Sequence, residues 1–342
     1  MTKKIFVTGG IGFIGSHTIV ELQNAGYDVI TVDDLSNSNI KILDQIEKIT
    51  GKKPEFEQFD LADSAKTDDF FKRNNDIAAI IHFAASKAVG ESVKIPLHYY
   101  WNNLVSTMNI LKCQLKYHIP NLVYSSSCTV YGQPDHLPVT EQTPRKDAES
   151  PYGNTKRISE DFLNDSIKAY PGLKAIALRY FNPIGAHPSS LIGELPVGVP
   201  QNLIPYVTQT AAGLRDELKV YGDDYNTPDG SPVRDYIYVV DLAKAHVVAI
   251  NRLLEGKNKS DYEIFNLGTG KGSSVLEIIN AFKKATGVKL KYEIVGRRAG
   301  DIEKIWADTS KANNELGWKA ETGLEETLLS AWNWQKHLEE NK

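Results

Sequence analysis

Short apolar, β-branched runs alternate with longer amphipathic stretches through the first half of the chain. KIFVT, DVITVD, EFEQFD, AAIIHFA and NLVYSSS read as strands. Between them, GSHTIVELQNAGY, IKILDQIEKIT and IPLHYYWNNLVSTMNILKCQLKYH repeat their apolar residues at helical spacing. SPYGNTKRISEDFLNDSIKAY predicts another long helix, because Ser150 followed by Pro151 is a start signal: a hydroxyl cap, then a residue with no N–H to lose. LKAIALRYF returns to strand texture. Strands alternating with helices predict a parallel sheet covered on both faces, a doubly wound α/β fold. After Asn182 the texture changes. AHPSSLIGELPVGVPQNLIP and GDDYNTPDGSPVRDY are rich in Gly, Pro and Asp and read as long ordered loops, which carry binding residues on a rigid scaffold. Alternation resumes at YEIFNLGTG, VLEIINAFKKATG, LKYEIV and LEETLLSAWNWQKHLEE, with no internal repeat or flexible linker.

At 342 residues, the chain has room for one large domain or two lobes. A net charge of −4, with Lys and Arg scattered among a slight excess of acids, gives no basic footprint for nucleic acid. No apolar run approaches the ~20 residues that span a bilayer, so no membrane segment is expected. The start, MTKKIFVTGG, has the lysines of a signal peptide, but its glycines cut the apolar run short and it reads as a strand. Cys113 and Cys128 allow at most one disulfide and lack metal-ligand spacing, which suits a reducing cytoplasm. They read as small buried apolar residues.

The first chemistry lies in TGGIGFIG at 8–15, where Gly9, Gly12 and Gly15 recur at three-residue spacing between a strand and a helix. Bare backbone there turns tightly and approaches a pyrophosphate, while the helix start offers N–H groups to the anion. Asp33 ends the second strand 18 residues after Gly15, where a carboxylate bonds ribose hydroxyls and repels a 2′-phosphate. The expected dinucleotide is NAD.

A hydride acceptor gives meaning to Tyr152 and Lys156, which share a helix face at i, i+4. A phenol with an ordinary pKa near ~10 is a poor base at neutral pH, and a nearby cation favours the phenolate. SSSCTVYG at 125–132 lies beyond a strand at the carboxyl edge of the sheet, so Ser127 is placed to share a proton with a substrate hydroxyl.

TGxxGxxG, the serine of SSSCTVYG and the Tyr-x-x-x-Lys pair together resemble the extended short-chain dehydrogenase/reductase superfamily. DDLSNS at 33–38, HFAASKAVGES at 82–92, RYFNPIGAHPSS at 179–190, PQNLIPY at 200–206, PDGSPVRDYIYVVDLA at 228–243 and RRAGD at 297–301 narrow the resemblance to the UDP-glucose (UDP-galactose) 4-epimerase family, over nearly the whole chain. The resemblance implies a Rossmann fold, tightly held NAD and inversion at C4 of a UDP-hexose through a 4-keto sugar, with Tyr152 taking the O4 proton. It also implies a homodimer through helices around 97–117 and 152–170.

By the same resemblance, Phe13, Ile14, Asp33, Asp34, Leu35, Ser36, Asn37, Ser38, Asp60 and Leu61 would meet the dinucleotide. Phe83, Ala84, Ala85, Ser86, Lys87, Asn102, Ser127, Tyr152, Lys156 and Phe181 would line its pyrophosphate and nicotinamide side. The sugar nucleotide would fall to Ser127, Tyr152, Asn182, Asn202, Leu203, Tyr221, Arg234, Arg298, Asp301 and Ile305, the two arginines suiting a diphosphate. Ile305 matches the position that gates the sugar pocket, where tyrosine restricts members to glucose and galactose and small residues admit N-acetylated sugars; isoleucine lies between. The expected lobes are 1–182 with 234–268, binding NAD and including strands at VRDYIYV and YEIFNLG, and 183–233 with 269–342, binding the sugar. A 4,6-dehydratase would need acids beside the serine, where Cys128 and Thr129 stand. Another nucleotide-sugar 4-epimerase and a non-catalytic NAD sensor remain as alternatives.

Overall fold

The computed structural model describes residues 2–298 and 302–341. Its first half runs β1 (Lys4–Thr8), α1 (Phe13–Asn24), β2 (Asp28–Asp33), α2 (Ile42–Thr50), β3 (Glu55–Gln58), α3 (Ser64–Arg73), β4 (Ile77–His82), α4 (Val89–Lys94), α5 (Pro96–Lys116), β5 (Asn121–Ser127), α6 (Pro151–Ala169) and β6 (Lys174–Tyr180). The second half runs β7 (Asn182–Ile184), α7 (Leu203–Ala211), β8 (Leu218–Tyr221), β9 (Val233–Tyr238), α8 (Val239–Leu254), β10 (Tyr262–Leu267), β11 (Gly272–Ser274), α9 (Val275–Thr286), β12 (Tyr292–Val295), β13 (Lys304–Ile305) and α10 (Leu324–Glu340).

Seven strands form one sheet in the order β10-β6-β5-β4-β1-β2-β3, and every pairing in it is parallel. The apolar runs are continuous because both faces are buried. Ile5 and Val7 of β1 and Ala79 and Ile81 of β4 enter one core, while Phe6 and Ile80 enter the core on the opposite face. The sheet's order reverses between β1 and β4, where an open α/β sheet leaves a crevice.

Two small sheets follow. β9 pairs with β7, β11 and β13, and β12 pairs with β8. A third core, with Ile204, Val207, Leu218, Ile278, Phe282 and Leu328, lies among these elements. YEIFNLG takes the edge of the large sheet beside β6, but VRDYIYV does not join it. The chain leaves the large sheet after Tyr180 and resumes as β7 at Asn182, and β9 pairs with that continuation.

The helix start at Ser150 has a local cause, since its Oγ accepts the Gly153 N–H at 3.2 Å. Helices α3, α4, α7 and α8 go beyond the sequence reading. Helix α3, SAKTDDFFKR, buries only Thr67, Phe70 and Phe71, too narrow a stripe to stand out. Helix α8 buries most of its length, so its pattern lacks the polar face that marks a surface helix. Cys113 and Cys128 are both buried free thiols.

Candidate active site

The carboxyl edge of the large sheet gathers the nominated residues. Gly9 follows β1, Asp33 ends β2, Asp60 lies just beyond β3, Phe83 follows β4, Ser127 ends β5 and Phe181 follows β6. At the glycine turn, Gly9 has φ +63°, and a Cβ on it would lie 2.9 Å from the Ala84 amide nitrogen. A Cβ on Gly15 would lie 2.3 Å from the Gly9 carbonyl oxygen. Only bare backbone closes this turn against the loop after β4. No side chain caps the start of α1 at Gly12, so the N–H groups of its first turn, at Phe13 and Ile14, are available to an anion.

Asp33 is buried and organises the next loop: Oδ1 accepts the Leu35 N–H at 3.0 Å and the Ser38 hydroxyl at 2.6 Å. Burial raises its carboxyl pKa, and the bonds from Ser38 and Leu35 oppose that. Asp34 accepts from the Ser36 N–H and hydroxyl, and Asn37 is exposed between them and Ser38. Beyond β3, Asp60 accepts the Ala62 N–H, and the Leu61 carbonyl accepts from Asn109. In the loop after β4, the Phe83 and Ala84 N–H groups both donate to Thr8 Oγ1 at 3.1 Å, next to Ala85 and Ser86.

Ser127 and Lys156 are buried, and Tyr152 is partly buried. Lys156 Nζ donates to the Ser125 carbonyl at 2.7 Å and lies 6.0 Å from the Tyr152 ring centroid, so the i, i+4 spacing does bring the pair together. Burial pushes the Lys156 ammonium down to about 7, while Glu160 one turn on pulls it upward. Burial also pushes the Tyr152 phenol up to about 12, against a hydrogen bond with Ser127. The sequence led to a lowered phenol; the chain's own groups leave it raised. Desolvation penalises the phenolate, and the neighbouring ammonium is itself desolvated and bonded to a carbonyl.

The sugar-nucleotide candidates lie on the small sheets. Asn182 on β7 pairs with Tyr236, and Ile305 on β13 pairs with Arg234, so three residues distant in the chain meet along β9. Arg234 Nη1 donates to the Val233 carbonyl at 2.9 Å. Ile305 is buried with Cys128 and Phe181. Tyr221 ends β8, and the Arg298 guanidinium lies 5.7 Å from its ring. Asn202 precedes Leu203 at the start of α7. Asp301 lies outside the described residues.

Four residues of this neighbourhood went unread in the sequence. Glu194 accepts from Asn202 at 2.6 Å and lies 3.3 Å from Lys87 Nζ, linking residues nominated for two different ligands. It is the only acid between Asp165 and Asp216, a signal in plain view. Asn103 bonds Ser86 through both N–H and carbonyl and reaches Thr155 at 3.0 Å, while Asn102 donates to Ser86 Oγ. Glu160 and Arg179 form a doubly hydrogen-bonded ion pair at 2.8 and 2.6 Å, and Glu160 also accepts from Ser126 at 2.6 Å.

A family model described as GDP-mannose 4,6 dehydratase matches residues 6–330. The UDP-glucose 4-epimerase of Dictyostelium discoideum is 50% identical over 332 residues, covering 97% of this chain and 95% of the relative. That of Bacillus subtilis is 50% identical over 331 residues, covering 97% and 96%. The crystal structure of UDP-glucose 4-epimerase from Bifidobacterium longum in complex with NAD+ and UDP matches with a TM-score of 0.94 at 50% identity, covering 98% of each chain. The structure of the UDP-Glc/GlcNAc 4-epimerase from Campylobacter jejuni matches with a TM-score of 0.83 at 36% identity, covering 98% of this chain and 99% of that one. The dehydratase description fits the shared fold, but Cys128 and Thr129 stand where that chemistry needs acids beside the serine. With half its residues identical along nearly its full length, the chain belongs to the UDP-glucose 4-epimerase family.

Proposed function

We propose that Tyr152, Ser127 and Lys156 carry the reaction of this family in this chain: interconversion of UDP-galactose and UDP-glucose by inversion at C4 through a transient 4-keto sugar. NAD, the cofactor, accepts and returns the hydride. The cradle fits a dinucleotide on three counts: Gly9 and Gly15 leave the backbone bare, α1 starts without a side-chain cap, and a buried carboxylate ends β2.

Tyr152 removes the proton from O4, and Ser127, hydrogen-bonded to the phenol, relays between it and the sugar hydroxyl. Lys156 supplies positive charge from the same helix face. Hydride return to the opposite face of C4 needs a hexose that turns while its nucleotide stays fixed. Arg234 and Arg298 are the anchors for the diphosphate, since a guanidinium fork pairs with phosphate oxygens. Asn182, Asn202, Leu203 and Tyr221 line the nucleotide and sugar, with Ile305 as the wall that meets the hexose.

The observation that carries this reading is the meeting of Ser127, at the end of β5, with Tyr152 and Lys156 on the first turns of α6. The test is incubation with UDP-galactose and, separately, UDP-N-acetylgalactosamine, followed by separation of products. Tyr152→Phe should lower turnover by about 10²–10⁴-fold while NAD stays bound. Near-normal turnover in that variant would overturn the assignment.

The homodimer belongs to the same proposal. Leu97 and Trp101, one turn apart on α5, are 83% and 65% exposed and Val93 on the adjoining α4 is 61% exposed, and apolar side chains so open call for a second copy of the chain. Trp101→Glu should convert the particle to a monomer in analytical ultracentrifugation. A cytoplasmic site accords with two unpaired cysteines, and no helix among the described residues is long and apolar enough to cross a membrane.

A further inference from the structure

We infer that Asp235 is a positioning residue that fixes the register of the segment carrying Ile305, and thereby sets which hexoses the sugar pocket admits. The inference rests on the reading of Ile305 as the wall against the hexose.

Asp235 is fully buried on β9, directly after Arg234. Its Oδ1 accepts the Thr269 N–H at 2.8 Å and the Thr269 hydroxyl at 2.7 Å. Its Oδ2 accepts the Gly270 and Ala307 N–H groups, each at 3.2 Å. One carboxylate therefore ties β9 both to the loop after β10 and to the segment just past Ile305. An amide in its place would turn an NH2 group toward one of these pairs: facing the Gly270 and Ala307 N–H groups it loses both bonds, and facing Thr269 it loses the bond from the N–H while the hydroxyl turns to accept.

The Ile305 segment needs such a tie. Strand β13 pairs with β9 over only two residues, Lys304 with Val233 and Ile305 with Arg234. On its other side it is held by Val139, whose N–H donates to the Trp306 carbonyl at 3.0 Å and whose carbonyl accepts the Asp308 N–H at 2.8 Å. Side chains alternate along it. Ile305 and Ala307 both enter the buried cluster with Cys128 and Phe181. Trp306 turns the other way, its ring 3.0 Å from the point where a Cβ on Gly272 would stand. A slip of one residue would bring Lys304 or Trp306 to the wall in place of Ile305, because strand side chains change face with every residue. The packing around the carboxylate leaves no slack: a Cβ on Gly268 would lie 2.3 Å from Asp235 Oδ2 and 2.9 Å from Ala307 Cβ.

The test uses the NAD-loaded full chain with three variants: Asp235→Asn, Gly268→Ala, which wedges the carboxylate away from Ala307, and Ile305→Gly. For each, the ratio of kcat/KM for UDP-galactose to that for UDP-N-acetylgalactosamine is measured, with bound NAD and Tm as controls. Ile305→Gly should change the ratio by at least about tenfold, the lower end of what a small change in pocket size gives. Asp235→Asn and Gly268→Ala should also change it by about tenfold or more, with NAD content unaltered. Equal loss for both sugars in these two variants, or failure of both to fold, would assign Asp235 to stability and overturn the inference while leaving Ile305 in place. An unchanged ratio in Ile305→Gly would remove the pocket-wall reading itself.

Discussion

Replacing Lys156 with methionine separates two ways in which the lysine acts on Tyr152. Its ammonium lies 6.0 Å from the phenol ring centroid, and both groups are on buried or partly buried turns of α6. At about that distance, with an effective dielectric near ~20, two unit charges attract by about 3 kcal/mol, equivalent to ~2 pK units. Burial holds the phenol at about 12 against its hydrogen bond with Ser127, and an ammonium at this distance, when charged, favours the phenolate further. The coupling is reciprocal: an ionised Tyr152 favours the charged form of Lys156, against the burial that lowers it to about 7. In Lys156→Met the acid limb of kcat against pH, followed with UDP-galactose from pH ~6 to the alkaline limit at which the fold survives, should move about 2 units to the alkaline side. Turnover near neutrality should fall about 100-fold, as that shift requires. Methionine has similar length and no charge to desolvate, so the fold is expected to survive. A fall in kcat with the acid limb unmoved would refute the electrostatic argument and leave Lys156 a purely cofactor-holding role.

Arg179→Met breaks the buried pair beneath Ser126, leaves Glu160 with the longer Arg145 contact at 3.4 Å, and should cost about 3–5 kcal/mol. With an unfolding entropy of about 0.7 kcal/mol/K for 342 residues, that lowers Tm by about 4–7 °C. The double variant Arg179→Met/Glu160→Leu should recover part of the loss in thermal unfolding, and a double variant worse than the sum of the singles would contradict this account. Burial lowers His17 and His82 to about 3 and His246 to about 4 from an ordinary 6.5. Between those values the unfolded chain binds more protons than the folded one, so stability is fully present above about 6.5 and falls as pH drops toward 3. Urea midpoints measured from pH 7 to 4 should fall steadily, and a flat profile would mean these rings stay wet. Asn103→Ala removes the clamp on Ser86 and should weaken NAD retention on dilution while leaving Tm less affected than Arg179→Met does.

The large sheet was legible because its strands are buried on both faces and separated by glycine-marked turns, so apolar runs and breaks coincide with elements. The glycine turn, Asp33, Ser127 and the Tyr152–Lys156 pair were legible for a related reason: each is local, a short motif beside a strand end. The residues that join those motifs were not. Glu160 and Arg179 are one acid and one base among many, and only the folded chain makes them a pair, at 1% and 2% side-chain exposure. The strand VRDYIY carries no sign of which sheet it joins, because six residues of mixed pattern fit either, and the choice was made by β7, three residues long. The phenol's pKa likewise depends on burial, a property of the whole fold that an i, i+4 spacing does not contain.

These differences divide the site into two mechanical halves. Ser127, Tyr152 and Lys156 stand on β5 and α6, which are locked together by the Lys156 bond to Ser125, the Glu160 bond to Ser126 and the buried ion pair to β6. That half has little freedom, as a proton relay requires, because a misplaced base loses rate steeply with distance. Asn182, Arg234 and Ile305 instead stand on strands of three, six and two residues that share few ladder bonds. Short ladders fix direction at low cost and yield to a side chain such as Asp235 for their final register. An epimerase needs that division: the reaction centre must be identical before and after the sugar turns, whereas the wall must tolerate both epimers. Under the proposed assignment, the rigid half sets the chemistry of C4, and the short strands set which hexose arrives there.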